Sequence, residues 1–164
     1  MKFKFLPVCS NISTPMGSMT LAAHKGSLVG AWFDGQQHQL DASGWLQEPN
    51  NPVLQRAAEQ LAAYFAGKRK GFDLPLSLEC GTAFQQQVWS ALIAVPSGAT
   101  TSYGAISQRI GRPNATRAVA AAIARNPISI IVPCHRVLGA NGSLTGYAGG
   151  LPRKAALLDL EKTH

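Results

Sequence analysis

Cys134 and His135 stand side by side in the stretch IIVPCHRVLG, just after a run of β-branched residues that stops at Pro133. A thiol and an imidazole serve nucleophilic catalysis, and both also ligate zinc. Three readings compete: an activated nucleophile, a metal-ligand pair, or a buried free cysteine ending a core strand beside a surface histidine. Zinc is the weakest, because adjacent ligands are awkward and no second Cys or His pair has the usual spacing. Neighbours in an extended segment point to opposite sides, so His135 would reach the thiol proton only through a bridging water. A histidine base also needs an orienting acid, and Asp159 and Glu161 are the only acids after residue 79.

Those residues must be positioned by the elements around them. ISIIV reads as a short buried strand leading into Cys134, and GANGSLTGYAGG as a glycine-rich loop leading into a final amphipathic helix, PRKAALLDLEK, with proline in its first turn. Upstream, AFQQQVWSALIAV is a helix ended by Pro96. TTSYGAISQRIG and ATRAVAAAIAR are two short helices joined by GRPN, the second capped by Asn114, and together they form a helix-turn-helix candidate. The first half reads as strands in KFKFLPV and a hairpin in MTLAAHKGSLVGAWF around a Gly-Ser turn. A polar loop and a helix capped by Asn51 and stopped at Gly67 follow. The basic, proline-containing GKRKGFDLPLSLECGT is the best linker. The expected fold class is α+β, with an α+β domain over residues 1–78 and a mostly helical domain over 79–164.

Charge is unevenly spread along the 164 residues, whose formal net charge is +7. Cys80 to Leu158 contains Arg109, Arg112, Arg117, Arg125, Arg136, Arg153 and Lys154 and no acid at all, whereas the residues before it are nearly balanced. Such a stretch points to a polyanionic partner, nucleic acid first, with acidic membranes or phosphorylated ligands as alternatives. The second helix of the pair is rich in alanine, with Arg117 its one long side chain before Arg125. It could approach DNA closely but read little sequence, and it could equally be an alanine helix packed by Val119 and Ile123. Three cysteines without a C-x-x-C argue for reduced thiols. No apolar run is long enough to cross a bilayer, and the opening MKFKFLPVCS turns polar too soon for a signal peptide, so a cytoplasmic protein is expected.

NPISIIVPCHRV followed by GYAGG, and preceded by FQQQVW and SYGAISQRIGRPNATRAVAAAIARN, resembles the O6-alkylguanine-DNA alkyltransferases, the methylated-DNA–protein-cysteine methyltransferases. The match covers roughly residues 80 to 161 in motif, order and spacing, and the N-terminal half looks like that family's ribonuclease-H-like domain. The resemblance implies stoichiometric transfer of an alkyl group from O6-alkylguanine in double-stranded DNA, and less efficiently from O4-alkylthymine, to Cys134, which is thereby used up. It gives His135 the role of a base acting through water, Glu161 that of its orienter, and Asn126 that of a hinge. It makes Arg117 the finger replacing a flipped-out base and Tyr103 the residue crowding the target phosphate. Ala115, Thr116, Ala118 and Ala120 would lie along the minor groove, and Val137, Tyr147 and Ala148 would line the guanine pocket. The resemblance further implies a monomer with no metal or organic cofactor. Two departures stand out: Ala120 and Ala121 occupy positions where many members carry glycine, and Ala148 one where some carry a serine. The zinc held by some members' first domain finds only Cys9, His24 and His38 nearby.

Overall fold

The computed structural model describes residues 2–163. Four strands form one sheet: β1 (Val8–Thr14), β2 (Gly17–His24), β3 (Ser27–Phe33) and β4 (Leu46–Gln47), in the order β3-β2-β1-β4. β1, β2 and β3 pair antiparallel in sequence, while β4, inside the segment expected to be all loop, pairs parallel with β1. The β2–β3 hairpin turns at Lys25 and Gly26, with φ of 48° and 79°, rather than at a Gly-Ser pair; Ser27 already belongs to β3. Two positive φ values in succession suit the right-handed twist of a two-residue hairpin. The strand expected in KFKFLPV starts only at Val8, since Pro7 has no N–H to give a ladder. Phe3 and Phe5 instead pack on the outer face of the sheet, Phe3 against Trp32 and Trp45, and Phe5 stacked on His24.

α1 (Pro52–Phe65) covers the inner face. The Asn51 side chain accepts from the N–H groups of Val53 and Leu54, and Gly67 at φ 76° follows the last turn, so both expected ends hold. Val53, Leu54, Ala57, Leu61 and Tyr64 are its buried stripe. The linker segment then runs along the free edge of β3, where Leu28 bonds to Pro75 and Ser77 through the backbone.

In the second half, α2 (Ala83–Ile93) opens with a Thr82–Gln85 capping box and stops at Ile93, ahead of Pro96. β5 (Thr101–Ser102) leads into α3 (Tyr103–Arg109), capped by Ser102, and α4 (Thr116–Ala124) packs on α2 and α3. α4 is capped at Ala115, not Asn114: the Ala115 N–H closes a turn onto the Arg112 carbonyl, and Asn114 is left exposed. A single turn of 3-10 helix (Cys134–Arg136) precedes β6 (Val137–Leu138), which pairs parallel with β5, and α5 (Leu151–Lys162) closes the chain.

The expected strand over ISIIV does not form. Ile128 makes one bridge to Ala31 of β3, Ile130 turns to φ 72°, and the segment folds on itself through the Val132 N–H to the Ile128 carbonyl. These residues are buried all the same, so packing alone explains their apolar character and no ladder is needed. The hydrophobic core is continuous across both halves, from Leu21 and Leu61 to Trp89, Val132 and Leu157. Among the described residues no helix is long and apolar enough to cross a membrane.

Candidate active site

Glu161, from the last turn of α5, is 3% exposed and gathers the site around its carboxylate. His135 Nε2 lies 2.7 Å from Oε2, and Arg136 grips both oxygens, Nε to Oε1 at 2.8 Å and Nη2 to Oε2 at 2.9 Å. The third nitrogen of that guanidinium, Nη1, donates to the Val95 carbonyl at 2.7 Å. Tyr64, arriving from α1, donates its hydroxyl to Oε2 at 2.6 Å. Burial by itself would raise the Glu161 pKa, but the donors from His135, Arg136 and Tyr64 hold it well below the usual carboxylate range. An ionised carboxylate only accepts, so the proton on the His135 ring must sit on Nε2. Nδ1, buried and without a protein partner, is then left as the basic nitrogen. Burial lowers the His135 pKa against the pull of Glu161, which keeps the ring neutral near neutral pH.

Cys134 and His135 lie on a 3-10 turn, not on an extended strand. Three residues per turn set neighbouring side chains about 120° apart, so the two still face different ways, for a different reason than the sequence suggested. Burial pushes the Cys134 thiol up to about 11, while the Asn126 side chain and the Lys154 charge pull in the opposite direction. Asn126 itself bridges two segments, donating from Nδ2 to the Val132 carbonyl at 2.8 Å and accepting from the Ile128 N–H at 3.0 Å. It thus supplies the hydrogen bonds that a strand would otherwise have given the backbone ahead of Cys134.

The facing wall is the loop before α5. Lys154, fully buried, donates to the carbonyls of Thr145 at 2.6 Å and Gly146 at 3.2 Å. Arg153 holds Gly149 from the other side while bonding the Met16 carbonyl and lying over the Phe33 ring. A Cβ at Gly149 would meet Tyr147 Cε2 at 2.7 Å, so only glycine lets the ring fold back there. Tyr147's hydroxyl is buried without a protein partner, and burial raises its pKa. Val137 is buried, Ala148 half-buried, and the Ala148 carbonyl accepts from the Gln37 N–H at 3.1 Å. Tyr103, at the start of α3, reaches the Thr145 carbonyl at 3.3 Å, and so touches the same loop.

On α4, Thr116, Arg117, Ala118 and Ala121 are exposed, Ala115 and Ala120 half-buried, and Val119 and Ile123 turned into the core. The basic stretch divides: Arg109, Arg112, Arg117 and Arg125 are exposed, but Arg136 and Lys154 are buried and Arg153 is committed to the loop. The exposed charge of that stretch is therefore carried by the helix-turn-helix. Among the described residues no group of three His, Cys, Asp or Glu could hold a metal ion. His24 is stacked on Phe5, and Cys9 is buried in β1.

Two family models match the chain. One, described as the DNA binding domain of 6-O-methylguanine DNA methyltransferase, covers residues 83–163, and the other, its ribonuclease-like domain, covers residues 8–78. The chain belongs to the 6-O-methylguanine DNA methyltransferase family. A methylated-DNA–protein-cysteine methyltransferase of Mycobacterium leprae is 49% identical over 94% of this chain and 92% of its own length. The namesake of Methanosarcina acetivorans is 48% identical over 90% of this chain and 94% of its own. A crystal structure of Mycobacterium tuberculosis OGT in complex with DNA superposes with a TM-score of 0.87, at 49% identity over 93% of this chain and 91% of that one.

Within this member of the 6-O-methylguanine DNA methyltransferase family, the structure brings Cys134, His135, Glu161, Asn126, Val137 and Tyr147 into one buried neighbourhood, with Tyr103 at its rim. Four contributors escaped the sequence reading: Tyr64, Arg136, Arg153 and Lys154. Tyr64 sits in the buried stripe of α1, and its spacing alone does not set it apart from the other core residues there. The other three were counted with the DNA-facing charge, and only their proximity to Pro133–Val137 and to the GYAGG loop could have hinted otherwise.

Proposed function

We propose that the protein repairs DNA directly, taking the alkyl group of O6-alkylguanine, and less efficiently of O4-alkylthymine, onto Cys134. The observation that carries this reading is the neutral His135 whose Nε2–H is fixed on Glu161 and whose Nδ1 is left free as a base, one residue from a thiol that burial keeps protonated. A water between Nδ1 and Sγ relays the thiol proton to the ring, and Glu161 stabilises the imidazolium that forms. The thiolate attacks the alkyl carbon, a C–S bond forms, the C–O6 bond breaks, and guanine leaves with the bonding pair and takes up one proton. The thioether that results has no electrophilic carbon for water to attack, so the protein acts once. No step calls on a second copy of the chain, and the protein works as a monomer.

Access supports a flipped nucleotide. Cys134 is only 6% exposed, and a base still in the duplex stack could not bring its O6 there. The short side chains exposed on α4 let that helix lie close to the minor groove, with Arg117 filling the gap in the stack and Tyr103 turning the target phosphate. Ala148 has no hydroxyl, so at that position only a backbone N–H can bond the leaving oxygen. Three free cysteines suit a reducing compartment, the cytoplasm.

The test is a reaction with excess duplex carrying labelled O6-methylguanine. Transfer should stop at one equivalent, with the label on Cys134; label elsewhere, or product accumulating well past one equivalent, would overturn the proposal. Arg117→Ala should impair repair of duplex far more than reaction with free O6-benzylguanine, because the arginine acts only where a stack has to be closed. Equal losses on both substrates would assign it to the fold instead.

A further inference from the structure

Glu161 Oε2 receives three donors, and one of them comes from the other half of the protein. His135 Nε2 lies at 2.7 Å, Arg136 Nη2 at 2.9 Å and the Tyr64 hydroxyl at 2.6 Å. Tyr64 is fully buried in the stripe of α1 that packs on the sheet, 97 residues from its partner in sequence. Nothing in packing requires a hydroxyl there: a phenylalanine would fill the same volume. Orientation of the carboxylate is already fixed by Arg136, which holds both oxygens. What the phenol adds is competition for one oxygen's negative charge.

We propose that Tyr64 is a positioning residue of the alkyl transfer, whose hydroxyl limits how much of the Glu161 charge His135 can draw and so keeps the imidazole neutral at the pH where it must act as a base. This rests on the reading of Cys134 as the alkyl acceptor. A donor shared on one carboxylate oxygen weakens the bond that oxygen makes to every other donor, and with it the stabilisation of the protonated partner. Burial and the Glu161 carboxylate hold the phenol protonated far above its ordinary range, so it donates throughout the working range. The other groups around His135 are Arg136 and Cys134 on its own turn and Glu161 and Lys154 from α5, while Tyr147, from the loop before α5, lies near Cys134 and Glu161. Arg136 and Lys154 disfavour the imidazolium and Glu161 favours it, so Tyr64 moderates the one attractive contact.

Tyr64→Phe removes the hydroxyl and leaves the ring. The single-turnover rate of Cys134 alkylation should then lose its acid limb at a higher pH, displaced upward by about half a unit or more, a roughly threefold rate loss below the limb. The rate above the limb should change less than the rate below it. The same displacement should appear in the nitrogen-15 titration of the His135 ring. If Tyr64→Phe fails to fold, 3-fluorotyrosine installed at position 64 alone keeps the contact with a stronger donor, and should move the limb to lower pH. A limb that stays put, or that moves the opposite way, overturns the proposal, because a purely structural tyrosine would change stability and rate at every pH alike. Wild-type protein run alongside separates the two claims: absence of label on its Cys134 would sink the alkyl-acceptor reading, whereas normal wild-type transfer with an unmoved limb in the variant would sink only the role of Tyr64.

Discussion

Cys134→Ser should abolish alkyl transfer and leave binding to undamaged duplex unchanged. The thiol is pushed up to about 11 by burial, so even cysteine needs help to ionise here, and a serine hydroxyl lies far beyond the reach of a histidine base. The exposed basic face of α3 and α4 is built from other residues, which is why binding and chemistry separate. Electrophoretic mobility shift and single-turnover transfer, measured on the same preparation, check both halves of the statement. His135→Ala belongs beside it: transfer should slow about 100-fold or more, the range for loss of a positioned base. Its residual rate should climb with pH towards about 11, as the thiol ionises unaided. A pH-independent residual rate would mean that something other than His135 activates the thiol.

Glu161→Gln should cost more in stability than any other single change in the site. The wild-type carboxylate accepts from Arg136, His135 and Tyr64 in a place closed to water. A glutamine turns one acceptor into an NH2 group facing donors and leaves the Arg136 charge buried without a counter-ion. Breaking a buried pair in this way costs about 3–5 kcal/mol. For a chain of this length that is a fall in Tm of roughly 10 °C. The sign of the pH dependence follows from the direction of the shift. The folded Glu161 pKa lies below its ordinary value of 4.5, so its contribution is present above that value and is lost as pH falls below it. His135, with a folded pKa below 6.5, adds a loss of the same sign that begins below 6.5. Thermal melts taken from pH 4.5 downward should therefore show a steeper decline for the wild type than for the variant, whereas the His135 loss below pH 6.5 is common to both. Equal slopes and an unchanged Tm would show that Glu161 bears on the chemistry alone.

Much of the architecture was legible in the amino-acid sequence because it rests on local signals. Asn51 and Gly67 bound α1, Ser102 starts α3, and Pro152 opens α5, each through hydrogen bonds or dihedrals that involve only a few neighbouring residues. The β2–β3 hairpin follows from two apolar runs around a glycine turn, and the error of one position in the turn changes nothing beyond it. The central stretch around Cys134, His135, Asn126 and Arg117 could be named because its motif is long and ordered. The strand expected over ISIIV failed because apolar β-branched residues signal burial, and burial does not specify a ladder.

The partners of Glu161 were decided only in three dimensions. Tyr64 lies 97 residues away and reaches the carboxylate because α1 packs across the sheet whose edge strand, β3, bonds through Ala31 to Pro127 and Ser129, next to the segment that carries the cysteine. No periodicity or spacing encodes that meeting. Arg136, Arg153 and Lys154 make the same point from the other side: a sequence counts a charge but cannot say which way it faces. A charge is tolerated inside only where a carboxylate or a set of carbonyls is assembled to receive it, and here that assembly is made by the packing of α1, α5 and the loop between residues 145 and 149.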